Sequence, residues 1–366
     1  MIIMAGKVIG LSHDLIIHPG ETLLEILQDK NMSQKELAIR SGMTEKHISS
    51  VVNGKSPISV SFAKKLEYVL GIECSFWTNL QTNYDIELSE FQEMNEISEA
   101  EIDISKNLKK VLKVFKNVIS IDDNMTGATL VLYLRKLLGI SNLTGIPNLV
   151  MQTAFRMTHK SIDIYVLYTW IKLCELITQN TIIDTPLDIE KLQDEIPHIK
   201  SLMQEQDINI SIKKLTDIFS ACGIVFRVVK NVPGAPVQGF IEKHNNGNLI
   251  LCLTIRNSFA DIFWFSLFHE IAHIINGDIT NTSLVDYDCS ESEQEQKADL
   301  YASNTLINQD DYESFVSKKD FHIGNIEQFS KQQNVPIWIV IGRLQKEKHI
   351  PFSYFAQYKP RYKWEK

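Results

Sequence analysis

The sequence lacks several features that mark other classes of protein. Its five cysteines are scattered through 366 residues, and no two of them form a Cys-x-x-Cys pair. Such a set argues against a disulfide framework or a cysteine-bound zinc, and fits a reducing compartment. The net charge is −8, so the whole chain is not a general polyanion binder. Any contact with nucleic acid must come from one locally basic face.

The sequence also predicts neither a secretory leader nor a membrane-spanning run. Residues 1–20 contain no basic region followed by an apolar core and a small-residue cleavage site. The most apolar stretches, 162–177 and 259–275, are interrupted by charged residues, so neither resembles a span of about 20 apolar residues. We therefore expect a cytoplasmic protein that has no membrane partner.

The length predicts two or three domains, and the rhythm of the sequence divides it into three parts. Residues 14–90 show short helical patterns with tight turns, and residues 91–217 read as a helical linker region without an assigned chemical task. Residues 218–366 begin with short β-rich segments separated by Pro/Gly turns. These segments, at 223–229, 236–242 and 248–255, predict a small antiparallel sheet.

The first part contains the pattern of two helices joined by a tight turn. Ser33-x-x-Glu36 is a capping box that opens one helix, and Gly42 permits the sharp turn after it. Thr44 then caps a second helix, which is predicted to stop at Asn53-Gly54. In a helix-turn-helix, the second helix enters the major groove of DNA.

Six residues of this pair are candidates for contact with DNA. Phosphate contacts suit positions near helix starts and just past the second helix, and base contacts suit the exposed face of that helix. The phosphate candidates are Gln34, Thr44 and Lys55, and the base-edge candidates are Lys46, His47 and Ser50. A helical bundle with solvated charges has the same charge pattern, so charge alone leaves both interpretations open.

The third part contains the segment "FHEIAHIING", in which His269 and His273 flank Glu270. Positions i and i+4 lie on one face of a helix, so both imidazoles can aim at one ion. Zinc suits histidine ligands at this spacing. Glu270, on a neighbouring edge, is placed to take a proton from a metal-bound water, as in H-E-x-x-H peptidases. Asp261 is predicted to cap this helix, and Gly277 to end it.

A zinc site needs a third ligand and one open position. Downstream, Glu295 stands four residues before Asp299, beside a buried stripe of alanine and leucine. We predict that Glu295 is the third ligand and that Asp299 orients a ligand imidazole from behind. The alternative is a pair of histidines satisfied within the core. Burying two imidazoles and a carboxylate without partners would cost several kcal/mol, which favours the metal.

Residues 220–307 resemble the ImmA/IrrE family of bacterial metallopeptidases. The resemblance rests on "PGAPVQGFIE", on the apolar run into "HEIAH", and on "EQEQKADLYASNTLI". Tyr301 stands where that family usually has Phe, and Ile307 where a second Leu is common. The resemblance implies a zincin-like fold, the same three ligands and base, and a chosen regulatory protein such as a repressor or a toxin as substrate.

The N-terminal part resembles the HigA-type antitoxin and XRE helix-turn-helix families. The motifs are "HPGE" at 18–21, "SQKELA" at 33–38, Asn53-Gly54 and "FWTNLQ" at 76–81. This resemblance implies a five-helix bundle, double-stranded operator DNA as a partner, and a homodimer. The expected fold class is α+β and mostly α, with the helix-turn-helix bundle, a helical middle and the zincin-like domain in that order.

Together these features predict a DNA-binding transcriptional regulator that carries a zinc metallo-endopeptidase domain, acting on a regulatory protein or on itself in a stress or toxin–antitoxin circuit. One alternative is an antitoxin-like repressor that binds a partner toxin and whose zinc domain is structural or sensory. A second is a peptidase whose helix-turn-helix docks a protein substrate instead of DNA.

Overall fold

The computed structural model describes residues 16–152, 162–244, 247–255, 258–279, 283–287 and 292–364. Residues 1–15 lie outside these ranges. They include most of the segment in which no secretory leader is expected, and residue 14, the predicted start of the first domain. Contacts divide the chain into two compact units. The first holds residues up to 102 together with 126–133, and the second holds 103–125 and residues from 134 onward. No helix in the described ranges is long and apolar enough to cross a membrane.

Five helices form the core of the first unit, as expected: α1 (Pro19–Asp29), α2 (Gln34–Ser41), α3 (Glu45–Val52), α4 (Val60–Leu70) and α5 (Cys74–Glu96). Local signals set their ends. The Ser33 hydroxyl accepts from Glu36 N at 3.1 Å, and the Thr44 hydroxyl accepts from His47 N at 3.2 Å. Gly42 ends α2 in the left-handed conformation, with φ of 64°. The predicted caps and the turn between α2 and α3 are therefore confirmed.

The middle of the chain is helical, as its composition predicts. Its helices are α6 (Glu99–Val114), α7 (Gly127–Leu138), α8 (Ile146–Gln152), α9 (Ile164–Thr178), α10 (Ile189–Asp194), α11 (Ile196–Ser201) and α12 (Ile208–Ala221). α12 runs directly into the first strand and packs against it, and α9 lies on one face of the same sheet through the ring contact of Trp170 with Phe240.

The sheet of the second unit has four described strands in the order β1-β3-β2-β4. They are β1 (Ile224–Val229), β2 (Val237–Lys243), β3 (Leu249–Thr254) and β4 (Ser283–Tyr287). β2 is antiparallel to β3 and to β4, whereas β1 and β3 are parallel. The predicted antiparallel sheet is wrong in this respect, and β4 is a strand that was not predicted from the sequence.

The strand order has a physical reason. Every residue of β3 is buried, as expected for a strand covered on both faces, so β3 occupies an inner position instead of the edge that a simple meander would give it. β1 therefore pairs with β3, and the two strands run in the same direction.

Five further helices complete the second unit: α13 (Ala260–Asn276), α14 (Glu293–Leu306), α15 (Gln309–Ser317), α16 (Ile323–Gln332) and α17 (Ile337–Lys346). α13 is the central one, packing on β2, β3, α14 and α17. Its apolar side chains belong to one large core with β3 and α17. The described chain is thus mostly helical with one small mixed sheet.

The start of α13 differs from the prediction, because Asp261 is not its cap. Phe259 holds the cap position, and the amide of Ala260 donates to the carbonyl of Pro360 at 3.0 Å, so the C-terminal segment supplies the acceptor. Asp261 lies in the first turn and forms an ion pair with Lys359 at 2.6 Å. The other end agrees with the sequence, since Gly277 terminates α13 with φ of 70°.

Candidate functional site

Two adjacent helices bring the predicted metal-binding residues together. His269 and His273 lie one turn apart on α13, with 4% and 0% of their surface exposed. α14 packs along α13, and its third residue is Glu295. The hydroxyl of Ser292 caps α14 by accepting from the amide of Glu295 at 3.3 Å. The cap therefore fixes where the carboxylate meets the two imidazoles.

The three side chains converge on one point. The Nε2 atoms of His269 and His273 are 3.0 Å apart. Oε2 of Glu295 lies 3.0 Å from the first nitrogen and 3.5 Å from the second. Among the described residues, these three side chains form a group whose ligand atoms lie close enough together to hold a metal ion.

The outer nitrogens of both imidazoles contact carboxylates. Nδ1 of His269 lies 2.8 Å from Asp299, and Nδ1 of His273 lies 2.8 Å from Asp278. An ionised carboxylate only accepts hydrogen bonds, so each Nδ1 carries a proton and donates. When such an imidazole is neutral, its lone pair is on Nε2. The predicted role of Asp299 behind His269 agrees with this contact.

This arrangement places three electron-pair donors face to face: two Nε2 atoms and one carboxylate oxygen. Such a cluster requires a cation at its centre, either a metal ion or added protons. Tetrahedral zinc bound to nitrogen at 2.0–2.1 Å gives ligand-to-ligand edges of roughly 3.3 Å, close to the observed 3.0–3.5 Å. The donor set and its spacing therefore fit zinc.

The charges within the cluster favour an ionised Glu295 and a protonated His273. Burial acts to raise the pKa of Glu295, but hydrogen bonds from His269 and His273 outweigh it and lower that pKa to about 2. Burial acts to lower the pKa of His273, but the hydrogen bond with Glu295 and the charge of Glu270 raise it above its ordinary value. Glu295 is thus a carboxylate at neutral pH, and His273 attracts positive charge to the site.

Glu270, the predicted base, is fully buried between α13 and β2. Gly239 of β2 makes room for it, because a Cβ atom at that position would overlap the Glu270 carboxylate. Glu270 directly follows His269 on α13, and the charge of its carboxylate acts to raise the pKa of His273.

Two residues that contribute to this site, Asp278 and Gly239, were not among those predicted from the sequence. Asp278 directly follows the left-handed Gly277, which turns the chain back so that the amide of Asp278 bonds the carbonyl of His273 at 3.1 Å. Gly239 lies inside strand β2, a position that indicates a close approach of another group. Both residues can be recognised in the sequence, but the sequence does not show which residue each of them contacts.

The six predicted DNA-contact residues surround α2 and α3. Lys46 on α3 and Lys55 just beyond it are exposed, and Gln34 occupies the first, half-buried position of α2. Thr44 is exposed, although its hydroxyl already caps α3. The charged candidates thus face solvent, where phosphate oxygens can reach them.

The other two candidates are partly engaged within the domain. The ring of His47 packs edge-on against Phe62 at 5.3 Å, and its Nε2 atom is buried. The hydroxyl of Ser50 shares a hydrogen bond with that of Ser56 at 2.7 Å. In this conformation Lys46 is better placed than His47 to reach a base edge.

A model of the helix-turn-helix family matches residues 23–77. Residues 23–77 form a helix-turn-helix domain. A helix-turn-helix lays its second helix in the major groove, so this match supports a DNA-binding regulator. No curated protein matches the chain.

Solved structures similar to the chain include two antitoxin-type proteins. One is an addiction module antidote protein of a HigA family from Coxiella burnetii, with 27% identity over 29% of this chain and 97% of that one, and a TM-score of 0.19. The other is the Pseudomonas aeruginosa antitoxin HigA with the higBA promoter, with 28% identity over 23% of this chain and 96% of that one, and a TM-score of 0.21.

The close approach of Gly239 to Glu270 yields a direct test. We expect Gly239→Ala to destabilise the second unit by about 1–3 kcal/mol, because the new methyl group displaces a buried carboxylate. The measurement is denaturant unfolding of the full chain. In a Glu270→Ala background the same change should cost less than half as much, since the obstruction is gone. Equal costs in both backgrounds would contradict the assigned contact.

Proposed function

We propose that this chain is a transcriptional regulator that binds operator DNA as a homodimer through its helix-turn-helix domain and hydrolyses a regulatory protein with a zinc metallo-endopeptidase site. The observation that carries the enzymatic half is the convergence of His269, His273 and Glu295 on one point beside a buried Glu270. The substrate is a repressor, a toxin or the chain itself, in a stress or toxin–antitoxin circuit.

In this proposal His269, His273 and Glu295 hold the zinc ion, and Asp299 and Asp278 orient the two imidazoles. Bound zinc supplies Lewis-acid activation of water. The aspartates keep the protons on Nδ1, so that both Nε2 atoms stay available as ligands. Loss of either aspartate would let its imidazole rotate or change tautomer.

Glu270 acts as the proton carrier of the site. Its position next to the ligands on α13 and its burial against Gly239 hold the carboxylate in one orientation. A buried, positioned carboxylate can accept a proton from the attacking water and pass it to the leaving amine. Glutamine at this position keeps the shape and loses that ability.

The helix-turn-helix domain supplies the DNA contacts. Lys46 and Lys55 carry exposed charges near the second helix, and Gln34 and Thr44 lie at helix starts, where phosphate groups are accommodated. Because each neutralised phosphate releases counterions, binding through these lysines must weaken as salt rises.

The first prediction from this proposal separates metal binding from catalysis. We expect purified wild type and Glu270→Gln to contain one zinc per chain, and His273→Ala to contain little, because only the last change removes a ligand. Metal content is measured by plasma mass spectrometry. His322→Ala, at an exposed histidine far along the chain, is the matched control and should retain zinc.

Catalysis is then measured as the appearance of new protein termini in cells that express each variant. Termini produced by wild type should disappear with both Glu270→Gln and His273→Ala, and should persist with His322→Ala. A Glu270→Gln protein that cleaves as well as wild type would refute the base assignment. Zinc binding without any cleavage would favour the toxin-binding repressor with a structural or sensory zinc domain.

The second prediction concerns DNA. Wild type should select a preferred duplex from a random pool, and its affinity should fall with salt. Lys55→Ala should reduce the slope of log affinity against log salt by about one, because the variant neutralises one phosphate fewer, and Lys46→Ala should relax the sequence preference at one base position. Lys213→Ala, at an exposed lysine of α12, should leave the slope unchanged. Affinity that does not depend on salt would favour docking of a protein substrate.

A further inference from the structure

A cavity of about 480 Å³ lies in the second unit, between the end of α7, α9 and the β2–β3 pair. Its volume is within the range of roughly 300–1,000 Å³ that small-molecule sites occupy. Glu242 lines this cavity, and Gly239, three residues earlier on β2, faces Glu270. Side chains three apart on a strand point to opposite faces, so the cavity and the metal cluster lie on opposite faces of the sheet.

Two glutamates, Glu175 and Glu242, line the cavity. Burial and, next, the neighbouring charge of Glu175 raise the pKa of Glu242 to about 7, against the opposing effect of Lys172. Lys172 donates to both oxygens of Glu175, at 2.9 and 2.8 Å. Lys172 is therefore paired with Glu175 in an ion pair. The carboxyl group of Glu242 is the one that a cationic ligand group would stabilise.

The mouth of the cavity has the opposite charge. The exposed residues Lys136 and Lys243 line it. Leu138, Leu176 and Ile250 supply apolar surface to the same cavity. The lining thus offers a carboxyl group, apolar surface and ammonium groups.

We propose that this cavity binds a small zwitterion with an apolar side chain, namely a free amino acid or a dipeptide. The ammonium group of the ligand contacts Glu242, and its carboxylate faces Lys136 and Lys243 at the mouth. This site requires neither zinc nor peptidase activity, so its test is independent of the function proposed above.

The test is calorimetric titration of the full chain with four probes. Leucine and leucyl-leucine carry both charges and represent the two sources of the ligand. Isoamylamine lacks the carboxylate of leucine, and isocaproate lacks its ammonium group. We expect saturable binding of at least one zwitterion, and binding at least tenfold weaker for both singly charged analogues.

Two results would overturn the proposal. One is the absence of saturable binding of both zwitterions up to about 10 mM. The other is an analogue that binds as tightly as the better zwitterion, because one charged end of the cavity would then contribute nothing.

Charge-neutralising variants locate the site. Glu242→Gln should weaken binding of the zwitterion at least tenfold, and Lys136→Gln should weaken it in the same direction. Glu190→Gln and Lys213→Gln, at exposed positions outside the cavity, are the matched controls. Lys136 is exposed, so its variant is expected to fold, and thermal melting checks each protein. Wild-type affinity in both cavity variants would place the ligand elsewhere and refute the assignment.

Discussion

Three electron-pair donors lie together in the second unit, and their mutual repulsion is relieved only by a metal ion or by added protons. Two imidazole nitrogens and one carboxylate oxygen lie 3.0–3.5 Å apart in a buried position. Several local features serve to hold them there. Ser292 sets the start of α14, the turn at Gly277 returns Asp278 to His273, and Gly239 admits Glu270.

Helical periodicity made much of this site predictable. A spacing of four residues brings His269 and His273 to one face, and the same spacing relates Glu295 to Asp299 on the second helix. The structure brings all four together. Asp278 was missed because its approach depends on the conformation of one turn. Gly239 was missed because its partner is 31 residues away in sequence and reaches it only in the folded sheet–helix packing.

The fold shows the same division between local and distant interactions. Helix ends at Ser33, Gly42 and Thr44 followed from capping chemistry within three or four residues. The parallel pairing of β1 with β3 and the capping of α13 by Pro360 did not, because both join segments that are distant in sequence. Burial of the His47 ring against Phe62 likewise depends on how α4 packs on α3, which helical periodicity alone does not specify.

X-ray absorption at the zinc edge of the metal-loaded full chain tests the central claim most directly. The arrangement predicts a first shell of about four light atoms, including two imidazoles and one carboxylate oxygen, at roughly 2.0–2.2 Å. Replacement of Glu295 by alanine should change that shell and leave the imidazole scattering in place. A shell containing sulfur near 2.3 Å, or a spectrum unaffected by loss of Glu295, would contradict the account.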